Sequence, residues 1–451
     1  MKNLTLCFLA AACSSVSLSA AEPLPAAGPT LKMLEGGPEW TPIFDGKTLN
    51  GWKGSGYEVQ DGAIVCTPKN ADVLQTEKEF SDFVLDFEFK LGPGSNNGIG
   101  IHYPGSGDAA YVGMEIQVLD DHHEKYKGIA PWQFHGSVYG VQPSTQSEVS
   151  RLKPTGEWNH EQILCIGDHV KVILNGETIT DVYLTGKKPI HDAKHPGLER
   201  TTGTIAFCGH GDYVAYRNLK VKNYAPAAPV LTGNPDNTAP AGFTALFNGK
   251  DLTNWKGLLK GPGEFPAGRA KMSPEQIAEA QKEADENMRA NWSVKNGELV
   301  FSGKGRSLCT VKNYGDFDFY VDWKIPANAD SGIYVRGLPQ IQIWDPANPA
   351  QFGNGNQKGS GGLWNNSGPG KDGKDPLVKA DKPIGEWNTF LIRMVGDRAT
   401  IYLNGQKVVN NSILENLWQK GMPIPRADQI ELQNHGNNLW FKNIYVRELP
   451  Y

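Results

Sequence analysis

Four side chains in the first half of the sequence are of types that move protons or bind sugars, and they recur at strand-like spacing. Residues 111–121, YVGMEIQVLDD, alternate: Met114, Ile116 and Val118 are apolar, with Glu115 and Gln117 between them. A β-strand turns successive side chains to opposite faces, so one face of this stretch belongs to a core and the other carries a carboxylate and an amide. Upstream, NNGIGIHY (96–103) sets Ile99 and Ile101 against Gly98, Gly100 and His102. Later, GTIAFCGHG (203–211) sets Ile205 and Phe207 against Thr204, Ala206, Cys208 and His210. If the three strands share a sheet, His102, Glu115, Gln117 and His210 lie on its non-core side, with glycine-cleared space beside them. Imidazole titrates near neutrality and a partly buried carboxylate shifts upward, so these groups suit general acid–base work. A solvated outer face would show the same alternation, and the first half alone does not separate the two.

The second half offers a comparison. DSGIYVRGLPQIQIWDP (330–346) aligns with the first two of these strands: Arg336 stands for His102, Gln340 for Glu115 and Gln342 for Gln117. In the third strand Glu431, Gln433 and His435 stand for Ala206, Cys208 and His210. The histidine at 210 and 435 occurs in both halves, whereas the acid changes strands, from Glu115 to Glu431. An idle surface gives no reason for that exchange. Arg336, Gln342, Glu431, Gln433 and His435 are therefore candidates for a variant active site or a sugar-binding one. The loop LDDHHEKYKG (119–128) adds Asp120, His122 and His123 as candidate ligands for a divalent cation. A turn-making Asp at the end of a strand, as at Asp345, accounts for Asp120 equally. The sequence has no Gly-rich phosphate loop between strand and helix, no H-E-x-x-H, no G-x-S-x-G and no C-x-x-C.

The elements that must position these residues follow from an internal repeat. IFDGKTLNGW (43–52) recurs as LFNGKDLTNW (246–255), and PTGEWNHEQILCIGDHVKVILNGETI (154–179) as PIGEWNTFLIRMVGDRATIYLNGQKV (383–408). GTIAFCGHGDYVAYRNLKVK (203–222) recurs as DQIELQNHGNNLWFKNIYVR (428–447). Two homologous domains, 39–224 and 242–451, are expected in tandem, joined by the Pro/Ala-rich extended linker 225–241. Alternating runs such as DFVLDFEFKL (82–91) and hairpins around Asn-Gly predict an all-β chain of two jelly-roll β-sandwiches. One helix stands apart: in 272–291, Ser273 can cap, Pro274 suits the first helical position and Gln276 completes a capping box. The first half has only KGSGYEV at that place, so the helix is an insertion that covers a sheet edge or forms a lip of a site.

Length and composition bound the rest. The chain has 451 residues, 39% hydrophobic and 21% charged, with a net charge of −5 and no basic run, so nothing argues for a nucleic-acid partner. Its 12 Trp and 15 Tyr suit sandwich cores and also faces on which a ring stacks against a sugar. Residues 1–21 read as a signal peptide: Lys2, the apolar LTLCFLAAAC, then Ser19 and Ala21 at positions −3 and −1 of a cleavage before Glu22. The mature chain is expected to be exported, periplasmic or extracellular, with no membrane span. Cys13 weakly resembles a lipoprotein cysteine, but Ala10 stands where Leu is usual. Cys66, Cys165, Cys208 and Cys309 form no close pair and read as buried free thiols.

Taken in order, LFNGKDLTNW, NNGIGIHY with DSGIYVRG, MEIQVLD with QIQIWD, GEWN, LNG, and HG…RNLKVK with HG…KNIYVR resemble the 3-keto-disaccharide hydrolase family, also described as 3-keto-glucoside 1,2-lyase/2-hydroxyglucal hydratase. The resemblance covers nearly all of the mature chain. It implies a concanavalin-A-like jelly roll in each half, export from a bacterium, and cleavage of di- or oligosaccharides or glycosides oxidised at C3. A C3 ketone acidifies the C2 hydrogen. A base removes it, the enolate expels the C1 substituent, and water then adds, giving net hydrolysis without an oxocarbenium ion. The site needs a base, donors or a cation for the enolate, and an acid for the leaving oxygen. By chemistry and strand direction, Glu115 is the candidate base or metal ligand, His102 and His210 the candidate proton carriers or ligands, and Gln117 a hydroxyl anchor. A divalent metal ion is an open cofactor. The alternative reading is a non-catalytic carbohydrate-binding protein of lectin-like fold. An ordinary glycosidase is disfavoured, because no pair of carboxylates is evident on the first domain's face.

Overall fold

Strands with one apolar face must bury it, and in each half two sheets do so against each other. In a computed structural model, which describes residues 38–66, 72–190, 194–226, 235–368 and 371–450, each half has an eight-stranded and a five-stranded sheet. The first five-stranded sheet is made of β1 (Trp52–Gly54), β2 (Val73–Phe80), β3 (Asn96–Tyr103), β4 (Met114–Leu119) and β5 (Gly203–Cys208), in the order β1-β2-β5-β3-β4. The second is made of β6 (Trp255–Gly257), β7 (Leu308–Thr310), β8 (Asp330–Tyr334), β9 (Gln340–Trp344) and β10 (Glu431–Leu432), in the order β6-β7-β10-β8-β9. All pairings in the four sheets are antiparallel. The chain is thus all-β, two tandem jelly-roll sandwiches.

Alternation decides which residues fill each sandwich. Phe83, Leu85, Phe87 and Phe89 from the large sheet meet Ile99, Ile101, Ile116, Val118 and Phe207 from the small one, all fully buried. In the second half Phe317, Phe319, Val321 and Trp323 meet Ile333, Ile341, Ile343 and Leu432. Cys66, Cys165, Cys208 and Cys309 are buried free thiols. The N-terminal segment 1–21 lies outside the described residues, as do positions 227–234 of the connecting segment. The following residues pack onto the second domain: Asn237 and Asn443 exchange two hydrogen bonds, N–H to side-chain oxygen, of 2.8 and 2.9 Å.

Three helices matter for the sites: α1 (Ala109–Val112), α2 (Pro266–Arg269) and α3 (Pro274–Asn291). α3 begins with the expected capping box, Ser273 accepting from the N–H of Gln276 and Gln276 accepting from that of Ser273. Its buried residues are Ala284 and Met288. It lies against β6, the edge of its sheet, so closely that a Cβ on Gly257 would stand 2.0 Å from the Ala284 carbonyl oxygen. An edge strand covered this way cannot pair with another chain.

The two domains touch through their large sheets. Val84, Leu164, Ile166 and Ile173, on the outer side of the first large sheet, pack with Tyr224, Val395 and Leu449. Arg393 of the second domain is buried there, paired with Asp82 of the first domain and bidentate on Asp318 at 2.7 and 2.8 Å. Arg393→Ala should cost about 3–5 kcal/mol, because buried Asp82 loses its ion-pair partner and buried Asp318 is left with Arg447 alone. Equilibrium urea unfolding read by tryptophan fluorescence will check this, with the exposed Lys282→Ala expected within about 0.5 kcal/mol of wild type.

Candidate active site

Register brings the predicted strands together. Across β5, β3 and β4, Ala206 stands opposite Gly100 and Gly100 opposite Glu115, while Gly98 stands opposite Gln117. With Ile99, Ile116 and Phe207 in the core, this row faces outward. It is nonetheless covered: Glu115 and Gln117 are each only 5% exposed. Residues 136–139 run beside β4, with the N–H of Gln117 donating to Ser137 and that of Tyr139 to the Glu115 carbonyl. On the other side α1, capped by Asp108, seats Ala109 over Gly100, where an added Cβ would touch the Ala109 and Ala206 methyls and the Cys208 sulfur.

The Glu115 carboxylate lies across Gly98, where a Cβ would stand 1.8 Å from Oε1. That oxygen is buried and has no hydrogen-bond partner. Burial pushes the carboxyl up to about 8, and the charge of Asp108 adds to the rise. Gln117 donates to Asn96 at 3.2 Å. Beside them stands an aromatic wall that periodicity did not reveal. Tyr139 meets Trp132 edge-on with ring centres 4.9 Å apart, and Tyr111 meets Tyr139 at 6.5 Å and His195 at 5.8 Å. Trp132, Tyr111 and Tyr139 are half-buried. The only sequence signal for Trp132 and Tyr139 is the aromatic density of PWQFHGSVYG (131–140).

His102 is not part of this face. Between Ala206 and Thr204, β3 has two residues where β5 has one, and His102 takes a left-handed φ of 52° at that bulge. Its ring leaves the alternation and is 1% exposed, with Nδ1 3.1 Å from the Arg200 carbonyl, Nε2 2.7 Å from that of Ser81, and the core ring of Phe83 edge-on. Arg336 repeats this in the second domain at φ 51°. It is 2% exposed, donates to the carbonyls of Gly315 and Gly396 at 2.8 and 2.6 Å, and pairs with Asp316 at 2.6 Å. Both residues brace the sandwich and neither is available to a sugar. His210, just past β5, is exposed at the rim; desolvation lowers its pKa, opposed by Asp212 and Asp108.

The expected cation ligands do not converge either. Asp120 accepts from the N–H of Gly94 at 2.8 Å, the turn-making role, as Asp345 does from Asn328 at 2.8 Å. His122 is exposed and pairs with Asp121. Among the described residues no group of three or more His, Cys, Asp or Glu is placed to hold a metal ion. Among the described residues the unpartnered Glu115 oxygen therefore stands in no such group.

In the second domain Gln342 stands opposite Gly332 and Gln340 opposite Tyr334, which stands opposite Glu431. Gln340, Gln342 and Gln433 form one amide network, and Glu431 is 8% exposed. His435 is exposed, 3.6 Å from Asp330.

The family model for the 3-keto-alpha-glucoside-1,2-lyase-like domain matches the chain twice, over residues 39–222 and 242–447. The chain belongs to this family. A 3-keto-disaccharide hydrolase of Bacteroides thetaiotaomicron is 28% identical over 225 residues, covering 40% of this chain and 77% of that protein. A crystal structure from Parabacteroides distasonis, provisionally classed as a glycosyl hydrolase, is 30% identical and covers 41% of this chain and 99% of its own, with a TM-score of 0.38. A second such structure from the same organism is 27% identical, covering 43% and 97%, with a TM-score of 0.37. Each relative thus corresponds to about one of the two family domains.

Two outcomes test this geometry. Gly98→Ala should displace the Glu115 side chain, whose carboxylate and Cγ occupy the place of the new methyl, while the fold survives; a crystal structure of the variant checks the displacement. Glu115 also makes stability depend on pH. Its carboxyl binds a proton more tightly folded, at about 8, than at its ordinary 4.5. The stability this contributes is whole below the lower value and is lost as pH rises through the higher one. Melting temperatures measured from pH 4.5 to 9 should therefore fall more steeply for wild type than for Glu115→Gln.

Proposed function

We propose that the protein is an exported enzyme that cleaves the glycosidic bond of 3-keto-glycosides by elimination and hydration. The observation that carries this reading is Glu115: a buried carboxyl with an unpartnered oxygen, raised to about 8, beside an aromatic wall on an otherwise apolar-backed sheet. A structural carboxylate would be hydrogen-bonded. A base that must take a weakly acidic C–H proton near neutral pH gains from a raised pKa and from water being kept away. The family and the name of the Bacteroides relative point to the same chemistry, and the signal-like segment 1–21 supports export.

The sugar ring lies against Tyr111, Tyr139 and Trp132, with its C2–H toward Glu115. Glu115 takes the C2 proton and the electron pair moves onto the C3 oxygen, where the phenols and the Gln117 amide donate hydrogen bonds. The C3 carbonyl re-forms, C1=C2 forms, and the C1–O bond breaks. Protonated Glu115 and rim His210 are the groups able to hand the leaving oxygen its proton. Water then adds its hydroxyl to C1 and its proton to C2. No step runs through a metal ion.

The test compares a 3-keto-disaccharide with its unoxidised parent. Cleavage of the keto form alone is expected. Binding without cleavage of either would make the protein a lectin-like binder, and cleavage of the parent an ordinary glycosidase. Glu115→Gln in residues 22–224 should lower the rate by about 10²–10⁴, with substrate binding less affected because the proton moves only in the transition state. The rate should rise with pH toward about 8, where Glu115 becomes a base. Unchanged C2 deuterium exchange in Glu115→Gln would move the role of base to His210.

A further inference from the structure

The second domain keeps the sheet and rearranges its face. The row Ala206–Gly100–Glu115 across β5, β3 and β4 becomes Glu431–Tyr334–Gln340 across β10, β8 and β9. The acid has moved to the opposite end, two strand spacings or about 10 Å away.

The end it left is locked. Gln340 lies over Gly332 as Glu115 lies over Gly98. But its amide donates to Gln342 at 2.8 Å, Gln433 at 3.0 Å and the Ser331 carbonyl at 3.3 Å, and it accepts from the Tyr334 hydroxyl at 3.1 Å. Gln342 in turn donates to Asp330 at 2.6 Å. An amide so engaged neither takes a proton nor turns to meet a ligand.

The end it reached is built to hold an acid. By register Ser307 occupies the place of Val73 in the first domain, and its hydroxyl binds Glu431. Arg269, delivered by α2, is held against Asp428 at 2.7 Å and the Glu264 carbonyl at 2.8 Å, and its charge acts on Glu431. Glu264 and Asp428 oppose it, and Tyr334 and Cys309 stand on the flanking strands. Burial, held back by the Ser307 bond and the Arg269 charge, leaves the Glu431 carboxyl raised to about 7. The first domain fills this position with Ala206, so packing alone does not require a carboxylate, and burying one is costly. The cation beside it has no counterpart among the groups that act on Glu115.

We propose that the second domain carries its own catalytic site for the same class of oxidised glycoside, with Glu431 as the base and Arg269 as the charge that stabilises the enolate. The proposal rests on the elimination chemistry read for the first domain. Glu431 takes the C2 proton, and the electron pair moves to the C3 oxygen, which the Arg269 charge favours. The enolate re-forms the C3 carbonyl and expels the C1 oxygen, which takes the proton back from Glu431, and water then adds its hydroxyl to C1 and its proton to C2. Tyr334 stands where the first domain has Gly100 under the Ala109 methyl, and with Gln340 locked the second site takes its ligand on the β10 side of the sheet.

The experiment uses the full chain, a 3-keto-disaccharide, and C2 deuterium exchange together with release of the leaving sugar. Glu115→Gln should retain measurable turnover, and adding Glu431→Gln should remove it by a further factor of about 10² or more. Arg269→Gln in the Glu115→Gln background should slow exchange while leaving Glu431 in place, and the urea-unfolding midpoint of each variant separates a folding defect from a lost charge. Equal turnover in Glu115→Gln with and without Glu431→Gln overturns the proposal. If wild type acts on neither form of the sugar, both sites fail; full turnover in Glu115→Gln that Glu431→Gln removes would fail the first-domain reading alone and keep this one.

Discussion

Strand alternation with one face committed to a core is the constraint from which the rest of this structure follows. Because Ile99, Ile116 and Phe207 must point into the sandwich, Gly98, Gly100, Glu115 and Ala206 must point away from it, and register sets them in a fixed row. What makes the row a site is its cover. The 136–139 segment and α1 close over a face that a simple sandwich leaves to water, so Glu115 is desolvated although it lies outside the main core. Gly98 completes the arrangement by yielding the volume that the carboxylate occupies. A carboxyl with an unpartnered buried oxygen lowers the stability of the fold at neutral pH, and that cost supports the proposal that Glu115 is kept for chemistry.

The pairing of the strands was legible because both halves carry the same pattern, and the repeat supplied a second reading of each position. Gln342 does stand where Gln117 stands, and Gln340 where Glu115 does. The reading failed where the period itself breaks. A bulge adds one residue without disturbing the apolar pattern on either side, so His102 and Arg336 count as outward-facing in the sequence and turn inward in the fold. Tyr111, Trp132 and Tyr139 were missed for a different reason: they come from a short helix and an irregular loop, where no period tells a face. Asp120 shows the converse, since a loop rich in acids and imidazoles resembled a ligand set while its carboxylate serves a turn.

The way the domains join leaves both faces usable. The contact is made by the outer sides and turns of the large sheets, through Val84, Leu164 and Ile166 against Val395 and Leu449, with Arg393 between Asp82 and Asp318. The Asp318 carboxyl would be raised by its burial, but Arg393 and Arg447 hold it below the usual range, so the cluster is charged as well as buried. The helix α3, for its part, covers the edge strand β6 and leaves β9 free to carry its own loop. The five-stranded sheets thus keep their outer faces for loops and ligands.

A duplicated sheet face can move its acid because cross-strand neighbours are geometrically alike. Any position in the row Ala206–Gly100–Glu115 points the same way, and adjacent members are one strand apart. Moving a carboxylate along such a row changes which loops surround it more than it changes its direction. In the first domain the acid lies on β4, next to the aromatic loop; in the second it lies on β10, next to Ser307 and the Arg269 that α2 delivers. The inserted segment that bears α2 and α3 therefore has a local reason to exist beyond covering an edge. It brings a fixed cation to the end of the row where the acid went, and an acid there without that cation would have the Ser307 hydroxyl alone to set against its burial and the like charges of Glu264 and Asp428.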